Sequence, residues 1–353
     1  MDKKLKSRME GALVGRFIGC LFGVPVENYP ISTMEEYAKK GNDVFPPIDY
    51  WTYIDRENDI QYGISPRKNY SKENLSCVEV DDDITYTVLN LLLLEKYGFH
   101  YSIEDVGKLW LDLLPYACTA EDVALRNLKA GMNAKDVKTD KTQTELIGAA
   151  IRADAFGYVA AFSPHGAAMM SKNDALLTHD ENGVYGEMFL AASISAAFSC
   201  STVLEAIKMG MKEIPEESEL YKELEWALSY EGKLKDYKEA RKLIDERFPS
   251  MHCVHVINNM CIIVFAAILG DGSYLGCVSN AIAIGLDNDC NGASIGSIAG
   301  AVYGIEGIPP HLYTRFHDKV RTYLNGMEYF SLDDLVNRFL VLQERYEREE
   351  MTK

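Results

Sequence analysis

The sequence has no C-x-x-C pair and no short repeating cysteine spacing; its eight cysteines are scattered from Cys20 to Cys290. That excludes a zinc ribbon and a disulfide framework and fits reduced, mostly buried thiols. Positive charge is also short. The formal net charge is −17, and no lysine–arginine cluster forms a basic patch, so polyphosphate surfaces are repelled and nucleic acid is not an expected partner. Uninterrupted apolar runs are few. The N-terminal stretch MDKKLKSRMEGALVGRFIGCLFGVPVE has the basic-then-apolar order of a signal peptide, but Glu10 and Arg16 break it and no small-x-small cleavage site follows. The run from Val254 to Leu269 contains His255, Asn258 and Asn259 and falls short of the roughly 20 residues a bilayer span needs. The expectations are no membrane partner and a cytoplasmic location. There is no Pro/Ser-rich linker, no repeat of fixed period and little strand-like alternation, which predicts an all-α chain with residues 1–353 in one domain.

What is present is helical. An apolar share of 47% supports an extensive core. Gly11, Gly15, Gly19 and Gly23 recur at every fourth position and fall on one stripe of a predicted helix, where another backbone can approach closely. Helices are also predicted for Ile84–Tyr97, stopped by Gly98, for Val254–Leu269, stopped at Asp271-Gly272, and for Tyr274–Gly285. A loop from Asp287 to Asn291 precedes a helix of small residues, including Gly292, Gly296 and Gly300, that must pack tightly. Between Glu205 and Phe248 the Glu- and Lys-rich spacing describes solvated surface helices.

Two acidic segments carry the chemistry. VDDDITYT sets Asp81, Asp82 and Asp83 at the start of an apolar helix, where three adjacent carboxylates repel unless a cation or strong donors hold them. GLDNDCNGA sets Asp287 and Asp289 between two apolar helices, an alternation that suits a hard cation such as Mg²⁺, Mn²⁺ or Ca²⁺. An EF-hand is a poor fit, because Ile298 stands where its last glutamate belongs. His252, Cys253 and His255 read as core or cap residues at a helix start. Arg152 could clamp a phosphate or sit in an ion pair. Cys290, beside two aspartates, is a poor nucleophile.

In order along nearly the whole chain, these motifs resemble those of the ADP-ribosylglycohydrolase family, which also includes the lens J1 crystallins. GRFIGCLFGVPVE is similar to the family's G-x-x-x-G-D-x-L-G-x-P-x-E, DDDIT to its T-D-D-T, IGAAIRADAFGY to its G-A-x-M-R and DNDCN to its D-T-D-T-N. The resemblance implies an orthogonal multi-helix bundle and hydrolysis of the N- or O-glycosidic bond between ADP-ribose and an acceptor, a protein side chain or a small molecule. It implies two divalent cations, Mg²⁺ foremost and Mn²⁺ as the alternative, on Asp81, Asp82, Asp83, Asp287 and Asp289. By the same resemblance Glu27 and Asp83 are catalytic, Glu27 in acid–base chemistry or in gating the metal site, and Gly148 and His179 bind substrate.

Two departures bear on activity. Cys290 stands in a ligand position where the family has threonine, and a thiol is a poor partner for Mg²⁺; Asp81 offers a carboxylate where the family has a hydroxyl. They suggest a rearranged second site or one that prefers Mn²⁺. The alternative readings are a catalytically reduced ADP-ribose-binding or structural protein on the same scaffold, and a ribosyl nucleoside hydrolase.

Overall fold

The computed structural model describes residues 2–270 and 272–352, and helices carry its architecture. Strands among the described residues form two short antiparallel hairpins, Ile60–Gln61 with Ser65–Pro66 and Val320–Leu324 with Met327–Phe330. The fold is the predicted all-α orthogonal bundle, and a continuous apolar cluster runs through it from Met9 to Tyr346.

The N-terminal helix, Lys3–Gly23, starts where the Asp2 carboxylate accepts a hydrogen bond from the Lys4 amide, the usual service of a short polar side chain at a helix start. From Gly11 onward every residue on it is buried. By length and composition Lys3–Val26 could cross a bilayer, but here protein encloses it. Its main partner is the antiparallel helix Asn288–Tyr303. Gly11 faces Gly300, Gly15 faces Gly296 and Gly19 faces Gly292, and a methyl on any of the six would strike the opposite backbone. Gly23 meets the backbone of Asp289 in the same way. The predicted glycine stripe is thus half of a backbone-to-backbone seam, whose other half is the small-residue helix.

The helix Asp82–Tyr97 starts ahead of the predicted Ile84, because the Asp81 side chain accepts the Asp83 amide at 3.0 Å and acts as its N-cap. It ends at Gly98, whose φ of 75° suits glycine. The helix predicted from Val254 spans Val256–Gly270; Asp271, the first residue of its expected stop, lies outside the described residues, and the next helix runs Tyr274–Ile284. The expected loop Asp287–Asn291 is mostly helix, since Asn288 already begins the following element. Helices Val203–Gly210, Glu219–Leu228 and Tyr237–Arg247 lie on the surface with solvated charge, as in the exposed Lys208–Glu231 pair at 2.6 Å.

Candidate active site

The two acidic segments, far apart in the chain, meet at one cavity of about 370 Å³. Glu27, Asp82, Asp287, Asp289 and Cys290 line one side of it. Three sets of donor atoms lie within 4.8 Å of one another: Asp83, Asp289 and Cys290; Glu27, Asp287 and Asp289; and Cys20, Asp81 and Asp83.

Local structure explains how each side chain is presented. Asp287 precedes the Asn288–Tyr303 helix yet its side chain caps nothing, so the carboxylate stays available to the cavity. Leu286 before it takes φ 64°, a left-handed conformation uncommon for leucine. Asn259 pins this corner, its Oδ1 accepting from the Asp287 amide at 3.3 Å and from Asn291 Nδ2 at 2.7 Å. Glu27 is tied alongside: the Asn28 amide donates to Asn288 Oδ1 at 3.0 Å, and Asn28 Nδ2 donates to Glu27 Oε1 at 3.0 Å. Asp83 Oδ1 receives Arg16 Nη2 at 2.9 Å, while Arg16 Nη1 meets Asp154 at 2.6 Å, all fully buried. Tyr62, in the turn of the first hairpin, has its hydroxyl 3.1 Å from Asp81 Oδ2 and 2.9 Å from Asp82 Oδ1, one proton shared between two carboxylates. Stacked Tyr116 and Tyr323 hold its ring.

The electrostatics of this arrangement are unbalanced. Burial, reinforced by neighbouring carboxylates such as Asp287, pushes the Glu27 carboxyl up to about 8, and burial, only partly opposed by Arg16, pushes Asp83 up to about 7. Burial raises Asp82 and Asp287 as well, and it raises Asp81 and Asp289 well above the carboxylate range with help from adjacent acids. Asp83 Oδ2 and Asp289 Oδ1 are buried without a hydrogen-bond partner, which is costly for a carboxylate. Among the described residues lining the cavity none is cationic. Close-set acids, orphaned oxygens and a cavity lining without a cationic side chain together fit divalent cations.

The rest of the lining includes Tyr62, Tyr86, Tyr116, Glu121 and Gly148. Gly148 is where the sequence placed it, beside the cavity, and a methyl there would strike the Glu121 carboxylate. Arg152 is no phosphate clamp: it is fully buried and pairs with Glu121 and Asp174 at 2.5 Å each. Two of the expected site residues lie behind the cavity lining rather than in it. His179 does not line the cavity; it is fully buried, its Nδ1 is 2.7 Å from Thr178 Oγ1 and 3.7 Å from Glu121, and it reaches the site only through that glutamate. Asp83 is fully buried against Arg16 and does not line the cavity either, so its geometry suits a ligand rather than a group that touches substrate. The EF-hand stays excluded, since Ile298 is buried within the helix. His252 and His255 serve their own helix start, each Nδ1 accepting a nearby amide.

A family model described as ADP-ribosylglycohydrolase matches residues 1–348. The chain belongs to the ADP-ribosylglycohydrolase family. This is a family of hydrolases acting on ADP-ribosylated substrates, generally with metal. A solved structure described as an ADP-ribosylglycohydrolase-related protein complex aligns with a TM-score of 0.59 at 17% identity, covering 97% of this chain and 99% of that one; at this identity it speaks to the fold. A comparison with curated proteins returns no match. Within an ADP-ribosylglycohydrolase scaffold, Tyr62, Tyr116 and Glu121 line this cavity and Cys20 falls in a donor set beside Asp81 and Asp83, and sequence reasoning flagged none of them. Cys20 read as an ordinary core thiol, and the others lie in segments with no motif to flag them.

Proposed function

We propose that the chain hydrolyses the N- or O-glycosidic bond joining ADP-ribose to an acceptor, a protein side chain or a small molecule, with two divalent cations held by Asp81, Asp82, Asp83, Asp287 and Asp289. The observation that carries this reading is the meeting of both acidic segments at one cavity with buried, unpartnered carboxylate oxygens. A diphosphate would be repelled by that wall unless cations neutralised it. Bound divalent cations supply a grip on the ribose diol and a water of lowered pKa.

The chain's own residues do the remaining work. Glu27 faces the cavity beside Asp287 and Asp289. We assign it proton transfer to the departing acceptor, through the oxygen that Asn28 leaves free. Gly148 leaves bare backbone on the wall beside Glu121, where ligand can approach closely. Because the segments that build the site are so distant in sequence, we treat the whole chain as one functional domain.

The test is turnover of ADP-ribosyl-arginine, ADP-ribosyl-serine, O-acetyl-ADP-ribose and free nucleosides, each with divalent cation or chelator. Hydrolysis of an ADP-ribosyl substrate that stops on chelation is expected. Turnover that persists in chelator would sink the mechanism, and cation-dependent binding of ADP-ribose without turnover would favour the catalytically reduced alternative.

A further inference from the structure

Two thiols sit inside the carboxylate cage. Cys290 shares a donor set with Asp83 and Asp289, and Cys20 shares one with Asp81 and Asp83. Both are buried. Among the described residues these are the cysteines that fall into such sets, whereas Cys277, on the Tyr274–Ile284 helix, is an ordinary buried core thiol of the kind that behaves as a small hydrophobe. The glycine seam fixes both in place: Cys20 follows Gly19, and Cys290 lies in the first turn of the facing helix beside Asp289. The orphaned oxygens of Asp83 and Asp289 point independently to an occupant of the same space.

Mg²⁺ asks for near-ideal octahedral oxygen donors and keeps several waters. Sulfur donors do not suit it, while Zn²⁺, Fe²⁺ and Co²⁺ accept mixed sulfur and oxygen coordination. We infer that the acidic centre is a mixed sulfur–oxygen site that selects a borderline divalent ion such as Zn²⁺, Fe²⁺ or Co²⁺ over Mg²⁺, with Cys290 as a ligand and Cys20 as a second sulfur donor. This rests on the metal-dependent reading proposed above and sharpens which ion it uses. When the ion binds, the S–H bond of each ligating thiol breaks, the proton leaves to solvent and a sulfur–metal bond forms, with no change of oxidation state.

The experiment is a Co²⁺ titration of the chelator-stripped, full-length protein followed by absorption. The expected result is a near-ultraviolet thiolate-to-cobalt charge-transfer band that grows with the visible cobalt bands. Cys290→Thr should remove most of that band and cut the preference for Zn²⁺ over Mg²⁺ by at least about tenfold; adding Cys20→Ser should remove the rest. Should either variant fail to fold by circular dichroism, X-ray absorption of the zinc-loaded native protein answers the same question, with a sulfur scatterer at about 2.3 Å expected. Visible cobalt bands without charge transfer, or a zinc shell of oxygen and nitrogen alone, would overturn the inference while leaving chelator-sensitive hydrolysis untouched. A protein that binds neither these ions nor Mg²⁺ or Mn²⁺ would overturn both readings.

Discussion

Two groups of clustered acids, one gathered on Arg152 and one facing the cavity, are balanced differently. Glu121, Asp174 and Glu187 gather around one guanidinium: Arg152 pairs with the first two at 2.5 Å and with Glu187 at 3.7 Å, while its face lies over Trp110 and Tyr86. Burial and the adjacent Asp174 drive the Glu187 carboxyl well up. The guanidiniums nearest the other group are committed elsewhere: Arg16 is divided between Asp83 and Asp154, and Arg67 pairs with Asp55 and Pro25 O. Both groups leave carboxylate oxygens without a hydrogen-bond partner, Asp174 Oδ1 and both Glu187 oxygens in one and Asp83 Oδ2 and Asp289 Oδ1 in the other; the first closes around a guanidinium, and the second faces the cavity through Asp82, Asp287 and Asp289. Acids gathered on a buried guanidinium form a structural element, whereas close-set acids open to a cavity form a candidate binding site.

The sharpest way to break this contrast is to remove a carboxylate from the open group. Asp287→Ala should lower cation-dependent turnover by at least about a hundredfold, more than loss of an outer-shell partner costs, with the helical circular dichroism spectrum unchanged. Initial rates on the best ADP-ribosyl substrate measure it, and undiminished rates would remove the centre from the chemistry. In the closed group the damage should fall on stability instead. Arg152→Met strands three buried acids and should cost about 3–5 kcal/mol in urea denaturation, while the fraction that stays folded keeps its divalent-ion stoichiometry by elemental analysis.

A smaller effect separates the groups by pH. Asp83 and Glu27, at about 7 and about 8 in the cation-free fold, lie above the ordinary carboxyl value of about 4. The folded chain therefore holds these protons more tightly than the unfolded chain does. That stabilisation is complete below about pH 4 and disappears as pH rises through about 7 to 8. In chelator, the melting temperature should fall by several degrees between pH 5 and pH 8, and saturating divalent cation should restore it, with the larger gain at pH 8. Identical melts with and without cation at pH 8 would mean that the open group is not open.

Much of this contrast was legible in the sequence, for physical reasons that differ by residue. Consecutive aspartates at the mouth of an apolar helix repel one another unless donors or a cation hold them, and a glycine at every fourth position is a local pattern, so the acidic segments and the seam could both be read directly. The partition of the acids could not. Arg152 and Glu121 lie on different elements and only their packing shows that one neutralises the other. Cys20 reads as a core thiol in sequence because its proximity to Asp81 and Asp83 arises only across a packed contact between distant segments. Tyr62 is placed by a hairpin of two-residue strands, too short for alternation to register. His179 was assigned to the substrate by motif resemblance, and tertiary burial put Glu121 in front of it.

The meeting of Gly19 with Gly292, and of Gly23 with Asp289, has a mechanical corollary. Where main chain rests on main chain there is no side chain to change rotamer and take up slack, so the gap between the donors on either helix is set by the backbones themselves. The helix pair is therefore a rigid frame that holds the backbones of Cys20, Asp289 and Cys290 at a fixed separation.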